Sequence, residues 1–331
     1  MNRLIFIISS CILAPLLIYS IFIFPQYTII NIVILVLFII GWHDIIQKKN
    51  AILRDYPVIG HLRHIFRSIS PELQQYFIET NTNGKPFNKN EIRLINSRSN
   101  NKDAFHPFGT ELDFYNDKVA WVGHSLAPAK RLETPPKVKI GGKHCTQKYN
   151  ASLLNVSAMS FGSLSSNAIK ALNLGAKKGG YYHNTGEGGI TPYHRQGGDV
   201  VIQIGTGNFG FRDDKGFFND KLFKEKSSYP EVKMIEIKLS QGAKPGHGGV
   251  LPAAKNTEEI AEIRVVKPHV DVLSPPTNPE MPSIESIPKF IARVRELSGN
   301  KPVGFKLCIG IKSEFEKLID ICINQDSYQI L

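Results

Sequence analysis

The stretch Gln241-Gly242-Ala243-Lys244-Pro245-Gly246-His247-Gly248-Gly249 directly follows an apolar run, Met234-Ile235-Glu236-Ile237-Lys238-Leu239. Glycines let the backbone approach a ligand closely and adopt φ > 0, and the lysine supplies charge. A strand that breaks into such a loop makes room for an anion. Two earlier apolar runs end in the same way, in Met159-Ser160-Phe161-Gly162-Ser163 and in Asn184-Thr185-Gly186-Glu187-Gly188-Gly189. His183, His194, His247 and His269 fall in no pattern that assigns them chemistry. The four cysteines, Cys11, Cys145, Cys308 and Cys322, form no C-x-x-C pair, which argues against a zinc site or a cysteine-ligated iron–sulfur cluster built from this chain alone. They read as free thiols in a reducing compartment, and no metal ligands are assigned.

The elements that must carry these loops alternate. Leu154 to Ala158, Gly180 to His183, Val200 to Ile204, Lys233 to Leu239, Val270 to Leu273 and Pro302 to Leu307 read as strands. Between them, Ser165 to Lys178 reads as a helix with Ile169, Leu172 and Ala176 on one face and a stop at Gly179-Gly180. Ile287 to Leu297 reads as another, with Ile287, Phe290, Ile291, Val294 and Leu297 in one stripe and a stop at Gly299. A last helix is predicted from Ser313, with Glu316 completing a capping box. Strand–helix alternation implies a parallel sheet. The glycine-rich and polar residues cluster after strand C-termini, the active-site face of a (β/α)₈ barrel. A doubly wound sheet shows the same alternation, but usually only one glycine-rich loop, after its first strand, so the barrel is the preferred α/β architecture.

Residues 1–42 are almost wholly apolar. Leu4 to Phe24 is of spanning length, Pro25-Gln26 interrupts, and Tyr27 to Trp42 is a second run. Two membrane helices joined by a tight turn fit this better than a signal peptide, whose apolar core is shorter. A single tilted span is the alternative and would put the soluble part on the opposite side from Met1. With Arg3 before the hairpin and Lys48, Lys49 and Arg54 after it, the positive-inside rule puts the soluble part in the cytoplasm. Arg63 and Arg67 are placed to meet anionic lipid heads. These flanks and an anionic ligand account for the net charge of +11 better than nucleic acid does, because the basic residues are scattered with no interleaved aromatics. The chain divides into a membrane anchor (1–45), a linker and cap (46–150) and a partial barrel (151–331). In the cap, Pro71 to Thr80 is predicted as a short helix with Ser70 as N-cap. Asn81 to Asn101 is predicted as a polar loop, and Val119-Ala120-Trp121-Val122 as a strand.

From about Tyr56 to Ser313 the chain resembles the FMN-binding, glutamate synthase-type barrel in its stand-alone, membrane-anchored bacterial form. The resemblance is carried by Met159-Ser160-Phe161-Gly162, Asn184 to Gly189, Gln203-Ile204-Gly205-Thr206-Gly207-Asn208-Phe209-Gly210, the Gln241 to Gly249 loop, Ser274-Pro275-Pro276 and Gly304-Phe305-Lys306-Leu307. It implies reductive amination of a 2-oxoglutarate-like acid to glutamate. The backbone at Met159 and Ser160 would lie against the flavin, Gln203 would bond its edge, and Lys306 would stabilise the reduced ring. Lys244, with Gln241 and Gly188, would face the 2-oxo acid, and Glu187 would relay protons. Each residue also has a structural reading: a satisfied core amide for Gln203, a surface cation for Lys306, a loop brace for Glu187.

The pattern departs from the family in three respects. The glutamine-hydrolysing domain and the cluster cysteines of full-size enzymes have no counterpart, so nitrogen would come from ammonia or a separate subunit. Val250 and Thr277-Asn278 stand where the full-size enzymes carry glutamine and paired histidines. Only about six strands are read where a closed barrel has eight, and the phosphate-binding loops belong to the last two. The expectation is therefore a truncated copy or half of a split protein, with FMN binding weakened or lost and a complementing C-terminal fragment as partner. An inactive membrane-bound remnant and another kind of FMN barrel oxidoreductase are the alternatives. The electron donor is not legible.

Overall fold

The computed structural model describes residues 3–102, 111–115, 120–121, 123, 125–130, 132–142, 145–240, 242 and 248–324. They form two compact units, Met1–Leu126 and Ala127–Leu331.

The first unit is helical. Helices α1 (Arg3–Ile23) and α2 (Thr28–Ile46) are joined by a 3₁₀ turn at Pro25–Tyr27, where the sequence places the break. Phe6 packs against Phe38 and Trp42, and Ser20 donates to Asn31 Oδ1 at 3.0 Å across the hairpin. Both segments are long and apolar enough to cross a membrane, with a mean hydropathy of 2.4 each. A short helix α3 (Ala51–Asp55) follows, capped by Asn50, and then α4 (Gly60–Leu73) and α5 (Lys89–Ser99).

Two expectations fail here. The helix predicted to begin at Pro71 is the end of α4, which runs through Ser70 and Pro71 and closes in a π-turn at Gln74–Ile78. Leu62, Ile65, Phe66, Ile69 and Leu73 form one continuous helical stripe. The carbonyl that Pro71 leaves unbonded lies in an exposed turn, where water can satisfy it. The predicted loop of Asn81 to Asn101 contains α5. Its signal is a cap rather than an apolar face: Asn88 Oδ1 accepts from Glu91 N at 2.9 Å, and Glu91 accepts from Asn88 N at 2.8 Å. The strand predicted at Val119 to Val122 lies partly outside the described residues, and Ala120 and Trp121 are not in a strand.

The second unit is α/β. It opens with an antiparallel pair, β1 (Lys137–Ile140) and β2 (Tyr149–Ser152). Then come α6 (Ser166–Gly179), β3 (Tyr182–Asn184), β4 (Asp199–Ile204), α7 (Asp220–Ser227), β5 (Val232–Lys238), β6 (Val250–Leu251), α8 (Glu258–Arg264), β7 (Val272–Leu273), α9 (Ile287–Leu297), β8 (Val303–Lys306) and α10 (Lys312–Asn324). The parallel sheet has the order β3-β4-β5-β8.

Strand side chains alternate between faces. Ile202 and Ile204 of β4 and Ile235 and Ile237 of β5 enter one core with Phe223 of α7 and Phe290, Ile291 and Val294 of α9. The other face of the sheet presents Asn184, Gln203, Glu236, Lys238 and Lys306.

The sheet takes up four of the strands read from the sequence. Leu154 to Ala158 adds only a parallel bridge from Val156 to His183. The segment predicted as Val270 to Leu273 is β7, which pairs antiparallel with β6, while β5 pairs directly with β8. A two-residue strand carries too little pattern to choose its neighbour. The capping box predicted at Ser313 is also absent: α10 starts at Lys312, and Glu316 pairs with Lys312 at 3.1 Å.

Candidate functional site

The polar residues gather at the C-terminal ends of β3, β4 and β5. Gln203 is 1% exposed. Its Nε2 donates to Glu236 Oε1, which also accepts from Asn184 Nδ2 at 2.9 Å. An ionised carboxylate only accepts, so Glu236 turns the NH₂ groups of both amides toward itself. Asn184 Oδ1 then accepts from Gly186 N at 3.0 Å, and Gln203 N donates to Thr185 Oγ1 at 3.0 Å. Gln203 Oε1 takes no hydrogen bond among the described residues and is left as an acceptor.

One step further along the strands, Lys238 forms an ion pair with Glu187, both side chains being 16% exposed. Glu187 N donates to Ser160 Oγ at 3.0 Å. Met159, Ser160 and the Glu187 loop are thus one packed wall. Gly186 makes that approach possible. Its φ is +65°, and a Cβ there would sit 2.6 Å from Ser160 N. Behind Gly188, the buried Arg264 donates Nη2 to Phe161 O at 3.0 Å and lies over the Phe209 ring. Burial holds the Arg264 pKa below its ordinary value, with the charge of Glu187 acting the other way. Lys306 is exposed and stands opposite Lys238 in the β5–β8 register.

The structure therefore brings Met159, Ser160, Glu187, Gly188 and Gln203 together and sets Lys306 beside Lys238. Gln241 and Lys244 lie outside the described residues. Asn278 does not face the polar side of the sheet. It is buried, donating to Gly205 O at 3.1 Å and Asn208 Oδ1 at 2.7 Å, and so braces the loop after β4. Sequence reasoning missed Glu236 and Lys238, although a signal was present. Met234, Glu236 and Lys238 alternate with Ile235, Ile237 and Leu239, a strand pattern with one charged face. Among the described residues no group of three His, Cys, Asp or Glu side chains could hold a metal ion.

Amide, carboxylate and ammonium groups converging at the ends of parallel strands define an α/β protein with a candidate site at the strand C-termini. Residues 111–327 match the family model for the conserved region in glutamate synthase, and the chain belongs to that family. It is 34% identical over 336 residues to the glutamate synthase large subunit-like protein YerD of Bacillus subtilis, covering 88% of this chain and 63% of the relative. It is 39% identical over 199 residues to an archaeal-type glutamate synthase (NADPH) of Thermotoga maritima, covering 60% of this chain and 33% of the relative. It is 36% identical over 153 residues to an archaeal glutamate synthase (NADPH) of Archaeoglobus fulgidus, covering 46% and 27%. The chain thus spans less than two thirds of the length of these relatives.

Proposed function

We propose that this chain is an FMN-dependent oxidoreductase of glutamate synthase type, held at the cytoplasmic face of a bacterial inner membrane by the α1–α2 hairpin. The observation that carries the reading is the Glu236–Gln203–Asn184 network beside the Glu187–Lys238 pair. The residues fit a flavin. Gln203 Oε1 is a fixed acceptor suited to an imide N–H, and the exposed Lys306 offers positive charge to a ring that becomes anionic when reduced. The Met159–Ser160 backbone forms a wall packed on Gly186. Bound FMN supplies two-electron, hydride-equivalent chemistry. The protein's own part is to hold that ring, to fix Glu187 against Lys238 as a proton relay, and to receive a 2-oxo acid through Gly188, Gln241 and Lys244. Nitrogen would come from free ammonia or a separate subunit. Two relatives carry NADPH in their names, so a nicotinamide is the first electron donor to test.

The membrane placement is supported by composition and by exposure, since only 17% and 22% of the two apolar windows are buried. The described sheet is read as an arc of a (β/α)₈ barrel. One observation favours a split or incomplete site: among the described residues β8 has a neighbour on one side only. Strands from a C-terminal fragment added at that edge would continue the arc and strengthen flavin binding.

Titration of the detergent-solubilised chain with FMN, followed by flavin fluorescence, tests the reading. Quenching is expected, and Gln203→Leu should weaken it about tenfold, the effect of losing one good hydrogen bond. Co-expression with the C-terminal portion of a longer relative should raise flavin retention. No quenching under either condition, or unchanged affinity in Gln203→Leu, would overturn the assignment.

A further inference from the structure

Helix α4 carries an apolar stripe that no described residue of its unit covers. Leu62, Ile65, Phe66, Ile69 and Leu73 lie at helical spacing and are all exposed, Phe66 by 60%. Arg63 and Arg67 flank the stripe, and Arg54 ends the preceding helix. An exposed apolar stripe flanked by arginines is the composition of a helix lying in a lipid–water interface.

The position of α4 supplies an independent observation. Asp44, at the end of α2, is fully buried and accepts from Val58 N at 3.0 Å and from His61 Nε2 at 2.9 Å. The first turn of α4 is thereby pinned to the last turns of α2. Between them lies a cavity of ≈ 680 Å³ walled by Leu37, Ile40, Ile59 and Leu62. If α2 crosses the bilayer, α4 begins where the bilayer ends.

We propose that α4 lies flat in the interface, with its apolar stripe among acyl chains, the α2–α4 cavity filled by a lipid tail, and Arg63 and Arg67 on anionic headgroups. This makes the anchor two-part, a spanning hairpin plus a surface helix. It rests on the reading of α1 and α2 as membrane-spanning.

The test uses the full chain in vesicles of brominated phosphatidylcholine mixed with phosphatidylglycerol, with tryptophan quenching as the readout. The chain has two tryptophans, Trp42 and Trp121. In a Trp121→Phe background, Trp42 reports on α2. In a Trp42→Phe, Trp121→Phe background, Phe66→Trp reports on the apolar face of α4 and Ser68→Trp on its polar face. Quenching of Trp42 and of Phe66→Trp, but not of Ser68→Trp, is the expected result. Arg63→Ala with Arg67→Ala should lower the Phe66→Trp quenching, and leaving out phosphatidylglycerol should do the same. An unquenched Trp42 would sink the spanning hairpin itself. A quenched Trp42 with an unquenched Phe66→Trp would overturn the α4 proposal alone. In that second case blue-shifted emission would mean that another part of the chain or a second copy covers the stripe, and red-shifted emission would leave it in water.

Discussion

His183 and His194 are the residues whose burial has the clearest consequence. Both are fully buried, with ring centroids 5.1 Å apart. Neither nitrogen of His183 has a hydrogen-bond partner among the described residues, whereas His194 Nδ1 is engaged by Thr191 N at 3.2 Å. Burial pushes the His183 pKa down to about 4. Burial, then the neighbouring imidazole, pushes His194 down to about 3. In the unfolded chain both titrate near ~6.5. The folded values lie below the unfolded ones, so between these limits the unfolded chain binds more protons. Stability is fully present above the unfolded value and is lost as pH falls toward about 4. Each neutral histidine adds a slope of about 1.4 kcal/mol per pH unit. Pulse proteolysis of the second unit in urea at neutral and mildly acidic pH should show that loss. His183→Leu should leave the neutral-pH midpoint nearly unchanged, since no hydrogen bond is removed, and should halve the pH dependence. A midpoint that does not move with acidification would mean that these imidazoles are not held neutral in the fold.

Among the elements, α6 shows most plainly what a pattern can and cannot reveal. Its stop at Gly180 in the left-handed region and its buried Ile169 and Ala176 are legible, whereas Ser165, read as the first helical residue, is the cap, and Leu172 is only half-buried. The polar residue between Ile169 and Ala176 is not legible. Asn173 is fully buried, and its Oδ1 accepts from Gln196 N at 2.9 Å and Gly198 N at 3.1 Å. It therefore holds the chain as it enters β4. A search for apolar periodicity passes over a polar residue whose partners are remote backbone amides. For the same reason Glu236 and Lys238 read as part of an apolar run, the residues of α5 read as a polar loop, and Asn278 stands out in the sequence only because the full-size enzymes carry histidine there. The bounds read for β4 and β5 agree to within a residue, because runs rich in branched residues are local signals; β8 is the shorter segment Val303–Lys306 inside the run read from Pro302 to Leu307. The pairing of β5 with β8 is not legible in the sequence, because neighbours in a sheet are chosen by packing. Asn173→Ala should leave the buried Gly198 amide and the half-buried Gln196 amide without this acceptor and destabilise the second unit by on the order of 3 kcal/mol. Gly198→Ala should be at least as damaging, because a Cβ there would lie 2.4 Å from Asn173 O. Urea midpoints from pulse proteolysis would check both, and a wild-type midpoint in either variant would remove the clamp from the account.

On the scale of the whole molecule, the sheet has one face sealed by α7, α9 and α10 and one polar face, and its order leaves β8 at the rim. The hydrogen bonds fix which backbone groups look outward. Ile235 N donates to Pro302 O and Leu239 N to Lys306 O, each at 2.9 Å, so the even-numbered residues of β8 turn toward β5. In a parallel ladder the N–H and C=O of a residue point to the same side, so Val303 and Phe305 present theirs away from the sheet while their side chains pack on the core. Such an edge is a template for another strand. The strand-end site lies on the same sheet, with Lys306 one residue beyond Phe305, so whatever covers this edge also orders the cation expected to face the flavin. Residue-resolved hydrogen exchange reads the edge directly. In the dilute chain the Val303 and Phe305 amides should exchange as fast as loop amides, while Ile235 and Ile237, between two neighbouring strands, stay protected. A complementing C-terminal fragment should slow exchange at Val303 and Phe305 and raise flavin affinity over the same concentration range. Protection of those amides in the dilute chain alone would mean that the sheet already continues past β8. Protection that appears only as the chain is concentrated would assign the edge to a second copy.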